Sequence, residues 1–210
     1  MTRALERILQ RYPRPFVTGA ELACLLKGTP DSRYGKVKRM LAAGKLLHVK
    51  RGLYCLTEEV GYFNKPHPFE LAQFIYGPSL VSLESALSYH GLIPEAVYTT
   101  TNVTGKRSKT FMTSLGRFYF QHVPLNNLYA ETTRMTENGH TFFIAKPWRA
   151  ICDYVYCYKK DWHSLDPLVN SLRIEVDNLP DLSNEEVQTL DAYYHQQRMR
   201  LFLTGVKNEH

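Results

Sequence analysis

Two short apolar runs, Leu46 to Lys50 and Leu53 to Leu56, are separated only by Arg51-Gly52. Runs of this length around a glycine turn close as a β-hairpin, and that hairpin limits what the preceding residues can be. Upstream, Leu5, Ile8, Leu9 and Tyr12 recur at helical spacing, and Pro13 and Pro15 stop the helix they predict over residues 2–12. Thr18 followed by Glu21 is a capping box, which opens a second helix through Ala20, Leu22, Leu25 and Leu26 that Gly28 ends. After the turn Gly28-Thr29-Pro30-Asp31, a third helix is predicted from about Ser32 to Ala43, with Gly44 as its stop. Its inward stripe reads Tyr34, Val37, Met40 and Leu41. Its outward stripe reads Ser32, Arg33, Lys36 and Arg39, with Lys38 on the flank. Three helices and then a basic hairpin is the order of a winged helix-turn-helix.

Charge supports a separate role for this stretch. The chain has 210 residues and a net charge of +6. Residues 1–60 carry 12 Lys and Arg against 5 Asp and Glu, whereas residues 61–210 carry 14 against 15. The excess positive charge therefore lies wholly in the first sixty residues, as in a nucleic-acid-binding head joined to a body with another task. The third helix has the dimensions to enter a B-DNA major groove. There Ser32, Arg33, Lys36, Lys38 and Arg39 would meet base edges and phosphates, while His48, Lys50 and Arg51 on the wing would reach the flanking backbone or the minor groove. The competing readings are a winged helix that docks only protein and a solvated basic surface. The strength of the basic face favours double-stranded DNA.

Residues 57–68, with Pro66 and Pro68, read as a connection, so the expected domains are 1–60 and 69–210. In the second, Phe69 to Tyr76 and the segment after Ser82 read as helices. Tyr98 to Thr104, Lys109 to Ser114 and Arg117 to Val123 read as a small antiparallel meander divided by Gly105 and Gly116, with a further strand at Thr141 to Ala145. Pro147 opens a helix whose buried stripe is Ile151, Val155 and Tyr158, and a shorter helix follows from Asp166. Ser183 and Glu186 form another capping box, for one last helix carrying Val187, Leu190, Tyr194 and Leu201 along one face. The fold class expected is α+β: a winged helix-turn-helix followed by a mixed helical domain with a small antiparallel sheet.

Four sequence elements, taken in order, resemble the AbiEi-type antitoxin and transcriptional-regulator family. They are Arg51-Gly52-Leu53-Tyr54; Ser82 to Glu95 with its Ser-Ala-Leu and Gly-Leu-Ile; Thr101 to Thr104 with Lys106 to Phe111; and Ile144 to Pro147 with Ala150 to Tyr156. The resemblance covers roughly residues 2–160. It implies the antitoxin of a bacterial abortive-infection (phage-defence) system of the type IV toxin–antitoxin kind. The winged helix would repress its own operon at an inverted-repeat operator, and the second domain would counter a nucleotidyltransferase-like toxin. Where the family often has Glu-Lys before Ala-Leu, this chain has Trp148-Arg149 before Ala150-Ile151, expected to leave the helix start intact and change its surface.

Other classes find less support. Eight histidines are scattered without a metal-ligand spacing, and no phosphate-binding glycine motif occurs, so no metal and no cofactor is expected. Ser85 with His90, or Cys152 beside Asp153, lack the base and orienting partner that would activate a nucleophile, so the chain reads as no enzyme. Five tyrosines at 154, 156, 158, 193 and 194 read as half-buried core with wet hydroxyls. The eight acids between Asp161 and Asp191 read as a solvated face. Lys106, Arg107, Lys109 and Arg117 form a second basic edge, suited to DNA phosphates or to keeping an edge strand from pairing. Four cysteines without a C-x-x-C pair, no membrane-length apolar run, and Glu6 and Gln10 interrupting the N-terminal apolar residues together read as a cytoplasmic protein.

Overall fold

The structure, a computed structural model, describes residues 14–60 and 65–209. The helix expected over 2–12 lies outside these. The fold is α+β, and its contacts divide the chain into two units, residues 1–75 with 113–115 and residues 76–112 with 116–210.

Among the described residues, the first element of the first unit is β1 (Phe16–Thr18), which the sequence pattern did not single out. Thr18 then caps α1 (Gly19–Leu25): its hydroxyl accepts from Glu21 N at 3.2 Å, and the Glu21 carboxylate takes the Thr18 amide in return. Helix α2 (Pro30–Ala42) starts two residues earlier than expected. Thr29 accepts from Ser32 N at 3.3 Å, and Pro30 stands where an amide would have no partner. The hairpin of β2 (Leu46–Lys50) and β3 (Leu53–Leu56) closes at Arg51-Gly52, with Gly52 at φ +76°. Strand β1 pairs with the far side of β3, so the sheet order is β1-β3-β2, antiparallel throughout. Val17, Leu22, Leu26, Met40, Leu46 and Leu56 form the core between this sheet and the two helices. Helix α3 (Pro68–Tyr76) follows the connection, and its Phe74 ring lies 4.5 Å from that of Phe16.

The second unit corrects the expectation of a small antiparallel meander. Its sheet has six strands: β4 (Leu80–Val81), β5 (Thr99–Thr104), β6 (Lys109–Thr113), β7 (Gly116–His122), β8 (Thr132–Glu137) and β9 (His140–Ala145). They are ordered β6-β7-β5-β4-β9-β8, and the sheet is mixed, with β5 parallel to β7 and β4 parallel to β9. The reason is that β6 takes the outer side of β7, which leaves β7 to run beside β5 in the same direction. Glycine turns mark where a chain reverses and say nothing of which strand it returns to.

Helices α4 (Leu83–Tyr89) and α5 (Pro147–Cys157) pack together against this sheet. Ser82 is not the side-chain cap of α4. Its hydroxyl goes to Asp153, and Thr101 from β5 accepts from Ser85 N at 2.9 Å instead. Leu83 begins the helix at φ +56°, an uncommon conformation for a residue with a Cβ, held by complete burial. Helix α6 (Asp166–Leu172) is present as expected. The last helix is in fact two, α7 (Asn184–Tyr194) with its Ser183 capping box and α8 (Gln197–Glu209). His195 turns left-handed at φ +51° and breaks the phase, which leaves Leu201 half exposed rather than on the stripe of Leu190. Among the described residues no helix is long and apolar enough to cross a membrane.

Candidate nucleic-acid interface

The side of α2 that meets the core is set by Val37, Met40 and Leu41. Arg33 and Lys36 precede Met40 by seven and four residues and so share its side of the helix. They turn toward α1 rather than away from it. Arg33 Nη1 donates to Ala23 O at 2.8 Å and Lys36 Nζ to Lys27 O at 2.5 Å. Arg33 thereby serves a carbonyl in the last turn of α1, where backbone acceptors lack intrahelical donors, and Lys36 serves one two residues past that helix. Opposite the core lie Ser32, Lys38 and Arg39, all exposed, beside Asp31 and Gly35. Tyr34, expected inward, is 72% exposed. It stands one turn before Val37 and borders a hollow of about 150 Å³ between α1, α2 and Tyr54 that no side chain fills.

The hairpin divides its three expected contacts in the same way. Arg51 is exposed at the tip, and Gly52 O receives the Gly19 amide at 2.8 Å, which ties the tip to the start of α1. A Cβ on Gly19 would stand 3.3 Å from Gly52 Cα, so the close approach depends on a small residue. His48 is exposed opposite Tyr54, with ring centroids 5.7 Å apart. Lys50 is half-buried and its ammonium donates to Ile75 O at the end of α3. The eight predicted residues therefore fall into two groups. Ser32, Lys38, Arg39, His48 and Arg51 are exposed, while Arg33, Lys36 and Lys50 hold backbone carbonyls. Sequence periodicity could not separate them, because long cationic side chains bend back to acceptors that only packing brings near.

In the second unit, the basic edge is laid over aromatic rings. Lys106 lies 5.2 Å from the Tyr76 centroid and Lys109 lies 4.9 Å from that of Phe111, while Arg117 donates to Met112 Sδ at 3.2 Å. Trp148 and Arg149 do not alter the surface of α5, as expected of them; both are buried. The indole donates to Pro180 O at 2.7 Å and the guanidinium to Ala130 O at 2.8 Å. The hydroxyls of Tyr158, Tyr193 and Tyr194 are likewise not wet: they donate to Glu84, Pro124 O and Asp153 at 2.8, 2.7 and 2.6 Å. Cys152 is fully enclosed, and burial pushes its thiol well above the ordinary range, away from nucleophilic use. His90, far from acting on Ser85, bonds Ala145 O at 2.7 Å. Among the described residues no group of three or more His, Cys, Asp or Glu is placed to hold a metal ion.

One candidate site is not legible in the sequence pattern. A cleft of about 670 Å³ opens between α4, the strands β5 and β7, and α5, lined by Glu84, Tyr98, Tyr119, Tyr154 and Tyr158 among others. Its signal was present in the lone acid of the Leu83–Tyr89 segment, but nothing in the spacing links Glu84 to a tyrosine 74 residues later. No protein-family model and no curated protein matches the chain.

Proposed function

We propose that residues 1–60 are a winged helix-turn-helix that binds double-stranded DNA, and that the chain is a transcriptional repressor of its own operon. The observation that carries this is the set of exposed groups Ser32, Lys38 and Arg39 on one helix with His48 and Arg51 on the adjoining hairpin. The β1-β3-β2 order supports it, since two helices set between the first strand and a hairpin is the connectivity such domains use to present their second helix. The resemblance in sequence supports the rest: an inverted-repeat operator, antitoxin activity in residues 69–210, and a nucleotidyltransferase-like toxin as the partner, all in the cytoplasm. No catalytic step enters this reading.

A gel-shift titration of the full chain on its upstream DNA tests the first part. Binding should fall steeply with salt, by about 0.9 in log affinity per log unit of salt for each phosphate neutralised. Absence of binding at low salt overturns it. Growth rescue tests the second part, with the gene products of the same operon expressed from unrelated promoters. The triple variant Lys38→Ala, Arg39→Ala, Arg51→Ala should lose repression and keep rescue. Loss of rescue at normal protein level would mean that neutralisation works through DNA.

The cleft of the second unit favours one alternative, a winged-helix regulator whose second domain answers to a small molecule without any toxin.

A further inference from the structure

The walls of the cleft differ from those of an ordinary apolar hollow. Tyr98, Tyr119, Tyr154 and Tyr158 line it with four aromatic rings, of which Tyr154 also packs on Trp162 and Tyr158, and Glu84 is a carboxylate among them. Tyr158 donates to Glu84 Oε1 at 2.8 Å. Burial first, and then the Glu84 charge, hold the Tyr158 proton in place well beyond the ordinary tyrosine range, so the direction of that bond is settled at neutral pH. The other oxygen, Glu84 Oε2, is shut from water and accepts no hydrogen bond. A closed-off carboxylate oxygen without a donor is costly, and most such atoms in proteins are satisfied. Of the other two charged groups of the lining, Glu95 is held by Arg173, whose Nε stands 2.9 Å away, and Arg117 is exposed and gives its Nε to the uncharged thioether of Met112, which leaves its positive charge on that wall.

We propose that this cleft binds a small organic cation, an ammonium group on an aromatic or aliphatic body. The ammonium supplies the donor that Glu84 Oε2 lacks, and the body lies against the tyrosine faces, which attract cations through the ring quadrupole. A point donor fits better than a fork. Tyr158 already holds one carboxylate oxygen, so the bidentate pairing of a guanidinium is closed off, whereas an ammonium needs only the remaining oxygen. The last torsion of a Glu side chain is soft, so a small turn of the whole carboxylate uncovers Oε2, and the Tyr158 bond to Oε1 bends with it. The volume suits a molecule of metabolite size rather than a chain segment. The proposal deepens the second reading above, a ligand-responsive regulator, but the binding event itself rests on nothing from DNA.

The test is calorimetric titration of the full chain with 2-phenylethylamine and with its uncharged counterpart 2-phenylethanol. The amine should bind saturably and about tenfold or more tighter, the worth of one charge-assisted hydrogen bond. Glu84→Gln, which can still accept from Tyr158, should bring the amine down to the level of the alcohol. Tyr98→Ala should weaken the amine without touching the fold, because that side chain is 93% exposed. Equal binding of amine and alcohol by the unaltered protein, or no saturable binding of the amine at millimolar concentration, overturns the site whatever the variants do. A gel shift with and without the amine separates the two ideas. An amine that binds but leaves DNA affinity unchanged keeps the site and removes the ligand-responsive reading.

Discussion

Arg149 and Asp153 stand one helical turn apart on α5 and form a salt bridge of 3.0 Å with both side chains wholly removed from solvent. Asp153 also accepts from Ser82 Oγ and from the Tyr194 hydroxyl, each at 2.6 Å, and the Arg149 guanidinium lies 3.9 Å from the centroid of the Tyr193 ring. One carboxylate thus joins the residue before α4, the helix α5 and the end of α7. Burial by itself favours the neutral guanidine. The Asp153 charge and the two tyrosines outweigh it and raise the Arg149 pKa, so the guanidinium stays charged.

Removing one member of this pair is expected to be far worse than removing both. Asp153→Ala leaves a buried cation and two hydroxyls without their acceptor, a loss of about 3–5 kcal/mol. The combined change Arg149→Met with Asp153→Leu should lose less than Asp153→Ala alone, because no uncompensated charge remains. Urea denaturation of the two variants checks the order.

Within α2, substitutions should separate binding from folding. Lys38→Ala and Arg39→Ala alter exposed side chains and should lower DNA affinity with the melting temperature unchanged. Arg33→Ala and Lys36→Ala free the Ala23 and Lys27 carbonyls and should cost stability, by less than about 1 kcal/mol each for exposed bonds. Gel shift and thermal melting on all four variants decide whether the helix is divided in this way.

Gly205 lies inside α8, where replacement by alanine ordinarily gains about 0.5–1 kcal/mol. The sign should reverse here. A Cβ at this position would stand 1.7 Å from the carbonyl oxygen of His163, a backbone atom that cannot swing aside. Gly205→Ala should therefore destabilise by about 1–3 kcal/mol as α8 shifts to relieve the overlap. A rise in melting temperature would contradict the close approach.

Six tyrosines should ionise late. Burial is the leading cause for Tyr154, Tyr156, Tyr158, Tyr193 and Tyr194, and the bond to Glu137 for Tyr89, which is pushed up to about 12. An unfolded tyrosine titrates near about 10, so the fold favours the neutral phenol. That contribution to stability is complete below about pH 10 and is lost as pH rises above it. Ultraviolet titration should show a delayed group of phenols ionising together with alkaline unfolding, and Tyr89→Phe should remove one of them.

The local signals carried most of the element boundaries. Thr18 with Glu21 and Ser183 with Glu186 cap their helices as read, because a capping box is satisfied within four residues. The Arg51-Gly52 turn joins the strands it was expected to join, since a glycine there allows the positive φ the turn needs. Strand β8 was missed although Asn138-Gly139 is itself a hairpin signal, with both residues at positive φ. Thr132 to Glu137 lies on the sheet edge and is polar, so it carries no apolar run to mark it as a strand.

What the amino-acid order determined by itself, then, was everything closed over a few residues: caps, the hairpin turn, the start of α5 at Pro147, the concentration of positive charge in the first sixty positions. The tertiary structure decided the rest. It chose parallel pairing for β5 and β7, sent Arg33, Lys36 and Lys50 to carbonyls, buried Trp148 and Arg149, and brought Glu84 to Tyr158. The physical reason is range. A backbone preference is set by neighbouring residues, whereas a charged side chain settles on whatever partner packing brings within 3 Å or so, however far apart the two lie in the chain.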